Sequence, residues 1–218
     1  MRKNKLWYIN SSRIFSSLTD KHKEEMASSL TEMNVRKREF IYNSGDKSEK
    51  VYILKEGGIR ISRMSEDGRE LTVDILGPGD IFGELSLTGE TERETDAVAT
   101  EDSHICAISR NDLENMLRSM PDLSLSITKW IGLRLKRIES RFEKMLFQDA
   151  QKRLISVLSD LAEKFGQPSA NGRKIMVRLS HKDLAELIGA SRETVTLEIN
   201  KLKRNNELFS NGKYFILP

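Results

Sequence analysis

The spacing of apolar residues changes twice along the chain and divides it into three parts. Residues 1–35 carry apolar side chains at helix-like intervals: Leu18, Met26, Leu30 and Met33. From Glu39 onward, short apolar runs with partial alternation are separated by Gly, Asp and Ser, which is typical of strands joined by tight turns. This first part predicts a short helical segment followed by a β-sandwich or barrel.

The second part begins after Ser109 and predicts two helices. A short helix over residues 110–119 is ended by Pro121, and a long helix follows. In the long helix, apolar residues recur at intervals of four, four, three, four and three: Ile127, Ile131, Leu135, Ile138, Phe142 and Met145. Such a narrow stripe between highly charged faces is typical of a coiled-coil seam and predicts a homodimer. The alternative is one amphipathic helix packed against its own domain.

The third part predicts two short helices between Leu179 and Asn205 that meet at Gly189. A small residue at such a corner lets two helices approach closely, as in a helix-turn-helix. Ser180, followed by Asp183, and Ser191 are the expected helix caps. The predicted buried faces comprise Leu184, Leu187, Ile188, Val195, Ile199 and Leu202. A generic helical hairpin is the alternative interpretation of this pattern.

Strands on both sides of these helices favour a winged helix-turn-helix. Residues 173–180 predict one strand, and residues 207–217 predict a hairpin with Asn211-Gly212 in its two-residue turn. Asp149 is the expected cap of a further helix over residues 150–165. Together these elements predict a DNA-binding domain.

Composition narrows the class of protein. The 218 residues are 38% hydrophobic and 32% charged, which suits a globular protein with real cores. We expect no membrane span, because no apolar run approaches the length that a bilayer requires. The N-terminus lacks the apolar stretch of a secretory signal, so we expect a cytoplasmic protein. The single cysteine, Cys106, rules out an internal disulfide and an iron–sulfur cluster held by four thiolates of one chain.

The distribution of charge is more informative than the net charge of +3. From Ala150 onward, 12 Lys and Arg face 7 Asp and Glu, a balance of +5, whereas the remainder has 24 against 26, a balance of −2. The basic excess therefore lies with the predicted helix-turn-helix, as phosphate neutralisation and counterion release from double-stranded DNA require.

Polar residues on the first turn of the second helix are the expected base-reading side chains, since that turn enters the major groove. Arg192 matches guanine through two hydrogen bonds, and Glu193 matches the amino group of cytosine. The other predicted contacts use hydroxyl groups and cations: Ser191, Thr194, Thr196, Lys201, Lys203, Arg204 and Lys213. The alternative for each charged residue is a solvated surface position, which the helix dipole also favours for Glu193.

Two segments, GDIFGELSL at 79–87 and GASRETVTLEINKL at 189–202, and the order of the three parts closely resemble the CRP/FNR family of bacterial transcription factors. The resemblance covers nearly the whole chain. It implies an α+β fold with an effector-sensing, cyclic-nucleotide-binding-like β jelly roll at 1–120. A dimerisation helix at 121–148 and a winged helix-turn-helix at 149–218 follow. It also implies a homodimer on palindromic DNA, control by a small effector, and contact with RNA polymerase.

In the cAMP receptors of this family, a Gly-Glu-Leu turn and a downstream Arg-Ser pair hold the cyclic phosphate. The resemblance implies an effector site for an anion at the matching positions: Gly83, Glu84, Leu85, Ser86 and Arg93. Glu94 replaces the serine, and a carboxylate beside a phosphate costs Coulomb energy. Ile138 and Glu139 replace the hydroxyl pair that reaches the adenine. These differences argue against cAMP and leave another small anion, with Ile138 lining its site, as the expected effector.

Several alternatives remain open at this stage. Arg93 could pair with Glu90, Glu92 or Glu94, which would leave a vestigial pocket in an effector-independent, architectural DNA-binding protein. Haem sensing would require His22 or His104 as an axial ligand. We do not expect an enzyme, because the sequence contains no triad spacing, metal-ligand cluster or phosphate-binding loop motif.

The recognition helix also departs from the resemblance. Leu197 stands where the cAMP receptors have a further base-reading arginine, and leucine cannot donate a hydrogen bond. The half-site is therefore expected to match the TGTGA-like element of those receptors only in part. We expect G·C pairs opposite Arg192 and Glu193 and a different preference opposite Leu197.

Overall fold

The chain divides into a strand-rich half and a helix-rich half. The computed structural model describes residues 6, 8, 9, 14, 15, 18–68, 70–212 and 214–218. Its named helices are α1 (Asp20–Ser29), α2 (Arg110–Ser119), α3 (Pro121–Phe147), α4 (Ala150–Phe165), α5 (His181–Ile188) and α6 (Arg192–Arg204), and a 3₁₀ helix spans Glu84–Thr88.

The strands of the first half are β1 (Thr31–Val35), β2 (Phe40–Tyr42), β3 (Lys50–Glu56), β4 (Ile59–Met64), β5 (Glu70–Leu76), β6 (Ile81–Phe82), β7 (Asp96–Ala99) and β8 (Ser103–Ser109). Those of the second half are β9 (Gly166–Ser169), β10 (Gly172–Ile175), β11 (Phe209–Asn211) and β12 (Tyr214–Leu217).

The first half is a jelly roll of two four-stranded antiparallel sheets, with strand orders β1-β8-β3-β6 and β2-β7-β4-β5. Strand β3 shows why its apolar run is continuous. Tyr52 and Leu54 face the core between the two sheets, whereas Val51 and Ile53 face a second core against the helices. Because successive side chains of a strand point to opposite faces, a strand covered on both sides must be apolar throughout. The predicted β-rich fold of the first half is confirmed.

The N-terminal boundary of the sheet differs from the prediction. Helix α1 ends at Ser29, and strand β1 begins at Thr31, well before Glu39. Met33, assigned by its spacing to a helix, lies on β1 opposite Ile105 of β8. Strand pairing with β8 outweighs the local helical interval, which short apolar patterns do not distinguish reliably.

Helix α3 begins on its own domain and then leaves it. Leu123 and Ile127 are buried in the core shared with α1 and α2. Ile127 therefore belongs to the domain core. The first turns of α3 are packed against their own domain, which was the alternative to a coiled-coil seam. The remaining members of the predicted seam are 42–63% exposed in the single chain: Ile131, Leu135, Ile138, Phe142 and Met145.

The second half is a helical core flanked by a four-stranded sheet with order β11-β12-β10-β9. Asp149 caps α4 as predicted, with its carboxylate accepting a hydrogen bond from the Lys152 amide at 2.8 Å. The wing hairpin differs by one residue from the prediction. Asn211 pairs with Tyr214, so Asn211 is a strand residue and not, as predicted, part of the turn. Gly212, at φ +61°, has the left-handed conformation that such a turn requires.

The two halves share a packed interface. Ile75 of β5 is part of the helical core of the second half. Gly77 lies against the Phe165 ring so closely that a Cβ atom there would stand 2.3 Å from Cε1. The backbone amide of Thr72 donates to a Glu186 carboxylate oxygen at 2.8 Å, and the Thr72 hydroxyl donates to the same oxygen. The first helix of the helix-turn-helix, α5, is therefore fixed to strand β5 of the sensor domain.

Candidate DNA-binding and effector sites

The corner between α5 and α6 has the geometry of a helix-turn-helix. Ser180 and Asp183 form a capping box at the start of α5, as their spacing predicts. Gly189 ends α5 at φ +62°, a conformation that favours glycine. The Ser191 hydroxyl then accepts the Thr194 amide at 3.0 Å and starts α6. The predicted caps and buried faces of both helices are confirmed.

Helix α6 buries one side and exposes the other. Val195, Ile199 and Leu202 are at most 1% exposed and form part of the domain core. Arg192 and Glu193 lie exposed on the first turn. The Glu193 backbone amide and the Ser191 side chain lower the pKa of the Glu193 carboxyl, which is therefore ionised and able to accept hydrogen bonds.

The threonine hydroxyls on α6 are engaged within the protein. Thr194 Oγ1 lies 3.0 Å from the Ser191 hydroxyl. Thr196 Oγ1 donates to the Arg192 carbonyl oxygen at 2.9 Å and also lies 2.9 Å from Nδ1 of His181. His181 has no predicted role from the sequence. Its place directly after the cap of α5, facing the second helix, is the signal that would have found it.

The predicted cations lie around the C-terminal end of α6. Lys201, Lys203 and Arg204 are exposed, and Lys201 pairs with Glu198 at 2.8 Å. Cations in the last turn also suit the helix dipole. Lys213, the remaining predicted cation, lies outside the described residues.

The predicted effector residues meet at the turn before the 3₁₀ helix. Gly83 has φ +75° and begins the turn, and the guanidinium of Arg93 lies against it. Arg93 is 4% exposed, and its Nη1 donates to the Gly83 carbonyl at 3.0 Å, while Nη2 donates to the Lys50 carbonyl. Nη1 also lies 3.5 Å from a Glu90 oxygen, so Glu90 is the partner among the three glutamates considered.

Two buried polar atoms beside this turn have no hydrogen-bond partner among the described residues: Nε of Arg93 and Oγ of Ser86. An unpaired buried polar atom is costly, and a bound polar ligand is one way to satisfy it. Arg93 and Glu94 also line an open depression of about 660 Å³. Glu94 pairs with Arg63, which also lines that depression. Leu85, in contrast, is 46% exposed.

Helix α3 is connected to this turn by ion pairs. Arg134 contacts Glu84 at 2.5 Å, and Arg141 contacts Asp74 of β5 at 3.4 Å. Burial raises the pKa of Glu84, although Arg134 acts in the opposite direction. Ile138, four residues after Arg134 and three before Arg141, is 55% exposed in the single chain. The structure therefore connects the turn with the helix that carries Ile138.

Comparison with known proteins agrees with this geometry. Residues 32–120 match the cyclic nucleotide-binding domain family, and residues 152–217 match the Crp-like helix-turn-helix domain family. The global nitrogen regulator of Synechocystis sp. is 36% identical over 168 residues, which are 76% of this chain and 75% of that protein. The CRP-like cAMP-activated global transcriptional regulator of Mycobacterium tuberculosis is 27% identical over 81% of this chain and 79% of its own length.

A solved structure supports the fold independently. The c-di-GMP-responsive global regulator CLP of Xanthomonas campestris superimposes with a TM-score of 0.75 at 23% identity, covering 91% of this chain and 99% of that one. None of the helices in the described part of the chain combines the length and apolar character of a bilayer crossing. From the two domain matches and the identity to its relatives, the chain belongs to the CRP/FNR family of DNA-binding transcriptional regulators.

Proposed function

We propose that the protein acts as a homodimer on a palindromic DNA site, with one α6 helix in the major groove of each half-site. The observation that carries this proposal is the exposed apolar stripe on α3, from Ile131 to Met145. A continuous row of large apolar side chains is rarely left in water, and two copies of a seam bury each other. Two-fold symmetry then places the recognition helices about 34 Å apart, one turn of DNA.

Within each half-site, we propose that Arg192 pairs with guanine and that Glu193 accepts from cytosine. Both side chains are exposed on the first turn of α6, and the pKa of Glu193 favours the charged acceptor. The first turn around Ser191 and Thr194 and the cations Lys201, Lys203, Arg204 and Lys213 contact phosphates in this proposal. Such contacts set the register of the protein on DNA without reading its sequence.

We further infer that a small anionic effector binds beside Arg93 and Ser86 and acts on the arrangement of the DNA-binding domains. The unpartnered Nε of Arg93 and Oγ of Ser86 support an anion at this turn. The ion pair between Glu84 and Arg134 offers a route from the turn to α3. An effector shifts the population only if it binds the DNA-competent arrangement more tightly.

The relatives do not indicate which effector this chain binds. One relative is named for activation by cAMP and a structural neighbour for its response to c-di-GMP, so the fold accepts different effectors. For this chain, Ile138, Glu139 and Glu94 argue against cAMP as they do in the sequence. We do not propose an iron–sulfur cluster, since Cys106 is the single cysteine and is buried.

An effector-independent DNA-binding protein is the second candidate. It is favoured by the contacts that already hold Arg93, namely the carbonyls of Gly83 and Lys50 and the carboxylate of Glu90. In either case we infer a cytoplasmic protein that acts on chromosomal DNA together with RNA polymerase.

Sedimentation of the full chain tests the dimer directly. We expect a dimer for the natural sequence and a monomer for Phe142→Glu, because the buried seam would then hold a carboxylate in each helix. Lys136→Glu, a change off the apolar stripe, is the matched control and should remain dimeric. A monomeric natural protein, or a dimeric Phe142→Glu variant, would contradict the proposal.

Native mass spectrometry of the purified dimer distinguishes an effector-controlled protein from an effector-independent one. A co-purified small anion that changes DNA affinity more than tenfold on removal supports the effector. Equal DNA affinity with and without every bound small molecule, and with and without added cAMP, supports the effector-independent protein.

A further inference from the structure

The side of α6 that faces away from the core carries an exposed leucine. Leu197 is 62% exposed, whereas Val195, Ile199 and Leu202 on the opposite side are at most 1% exposed. Since each residue turns an α-helix by 100°, Leu197 projects about 170° from the mean direction of those three side chains. In the proposed docking of α6, Leu197 therefore faces the major groove.

The position of Leu197 along α6 determines which base pairs it can contact. It follows Glu193 by four residues, which is about 6 Å along the helix axis. Base pairs stack about 3.4 Å apart, so Leu197 reaches one or two base pairs beyond the pair that Glu193 contacts. Its side chain offers only methyl and methylene groups to the base edges there.

Thr196, the preceding residue, turns its hydroxyl inward. Its Oγ1 donates to the Arg192 carbonyl, and His181 Nδ1 lies at 2.9 Å. A hydroxyl has a single hydrogen, so in this arrangement His181 is the donor and Thr196 the acceptor. The hydrogen and one of the two lone pairs of the Thr196 hydroxyl are therefore used inside the domain, and the γ-methyl is the apolar group of this side chain.

His181 is itself held from two sides. Its ring stacks on Phe215 of the wing with ring centroids 6.5 Å apart, and it lies at the first position of α5. Burial, together with the neighbouring cations Lys203 and Arg192, lowers the pKa of His181. The residue thus connects α5, α6 and the wing through one neutral ring.

We infer that Leu197 and the γ-methyl of Thr196 form an apolar surface that reads the 5-methyl group of thymine, with His181 as the positioning residue for Thr196. This inference rests on the proposed docking of α6 in the major groove. Among the four bases, the thymine methyl is the apolar group that the major groove presents, and apolar side chains are its usual readers. The half-site is then specified by G·C pairs at Arg192 and Glu193 and by thymine beyond them.

The test begins with selection of binding sites by the full-length chain from random DNA. We expect a two-fold symmetric sequence with thymine one or two pairs beyond the pair contacted by Glu193. Replacing that thymine with uracil in both half-sites removes only the methyl groups. Because one buried methyl group corresponds to about a fourfold change in affinity, we expect roughly that loss for each half-site in an anisotropy titration.

Variants assign the loss to the proposed side chains. In Leu197→Ala the uracil penalty should fall below about twofold, since the methyl group then has little to contact. His181→Asn places an amide donor near the position of Nδ1 and should preserve the thymine preference. His181→Phe keeps a ring against Phe215 but removes the hydrogen bond from His181, which leaves the Thr196 hydroxyl held only by the Arg192 carbonyl, so we expect a relaxed preference at this pair. Thermal denaturation of each variant confirms folding.

The outcomes separate the inference from the function on which it rests. Indifference to uracil, selection of G·C at this pair, or an undiminished uracil penalty in Leu197→Ala would overturn the thymine reading. A symmetric selected site that depends on Arg192 and Glu193 would leave the proposed function standing in each case. No symmetric site, with binding unaffected by Arg192→Ala, would overturn both.

Discussion

Glu193 and Glu84 occupy similar positions but differ in environment. Each lies on the first turn of a helical segment, α6 for Glu193 and the 3₁₀ helix for Glu84. Glu193 is exposed, and its helix start lowers its pKa, whereas burial against α3 raises the pKa of Glu84. The first turn of α6 therefore exposes its charged side chain to solvent and DNA, whereas the turn at Gly83 buries its charged side chain inside the protein.

Arg192 and Arg93 differ in the same way, since one is exposed and the other is buried. Arg192 extends from the first turn of α6 into solvent, whereas Arg93 is bound to two carbonyls and lies 4.5 Å from the centre of the Tyr42 ring. Substitutions at the first surface should change binding and leave stability intact. Substitutions at the second should change stability first.

Loss of the base-reading pair should have the largest effect. In Arg192→Ala/Glu193→Ala we expect specific DNA affinity to fall by about 1,000-fold or more, because the dimer loses four base contacts of about 1–3 kcal/mol each. Fluorescence anisotropy with a selected site and a scrambled site measures the change. The free energy of unfolding by denaturant should change by less than about 0.5 kcal/mol.

Lys201→Ala is the matched control for that experiment. It should weaken binding to both DNAs about equally and reduce the salt dependence by about one phosphate contact in each half-site. Equal losses on the scrambled site in the double variant would show that Arg192 and Glu193 do not read bases.

Arg93→Ala should lower the free energy of unfolding by about 3 kcal/mol. The change leaves the carbonyls of Gly83 and Lys50 and the Glu90 carboxylate without their cation, and breaking a buried pair on one side is costly. Urea denaturation followed by circular dichroism measures it. Arg63→Ala, at an exposed ion pair beside the same depression, should cost less than about 1 kcal/mol. Equal stability of both variants would contradict the structural role of Arg93.

Thr72→Val tests the contact between the two halves. It removes the hydroxyl bond to Glu186 and keeps the backbone bond, with an expected loss of about 1–2 kcal/mol. Hydrogen exchange should accelerate in α5 and β5, whereas Thr72→Ser should behave like the natural protein. Unchanged exchange in the valine variant would show that this bond does not hold the domains together.

The pH dependence of stability should differ in sign between the two glutamates. Because the folded pKa of Glu84 is raised above 4.5, the folded state binds more protons, and Glu84 destabilises the protein as pH rises above that value. For Glu193, whose pKa is lowered, stability is present above pH 4.5 and is lost as pH falls. The free energy of unfolding of Glu84→Gln, Glu193→Gln and the natural protein should be measured on both sides of pH 4.5. The two substitutions should change its slope against pH in opposite directions. Changes of the same sign would contradict the two environments.

The comparison also explains what could be predicted from the sequence. The caps Ser180 and Ser191, the corner at Gly189 and the buried face of α6 depend on neighbours a few residues away, so local patterns identify them. The two carbonyls that hold Arg93 lie 10 and 43 residues away, and Thr72 lies 114 residues from Glu186. Local patterns contain no information on such pairs.

Two smaller differences have the same origin. Met33 is in a strand because β8 pairs with it, and the hydroxyl of Thr196 is withdrawn because His181 reaches across from α5. The apolar stripe on α3 follows from its spacing, but the assignment of Ile127 to the domain core required the packing of α1 and α2.

Hydroxyl-radical footprinting of the full-length protein on its selected DNA site shows whether two copies of α6 dock symmetrically. We expect two equal protected regions related by two-fold symmetry, with centres about 34 Å apart, and loss of both in Arg192→Ala/Glu193→Ala. A single or asymmetric protected region, or a symmetric footprint that survives this double substitution, would contradict the proposed docking.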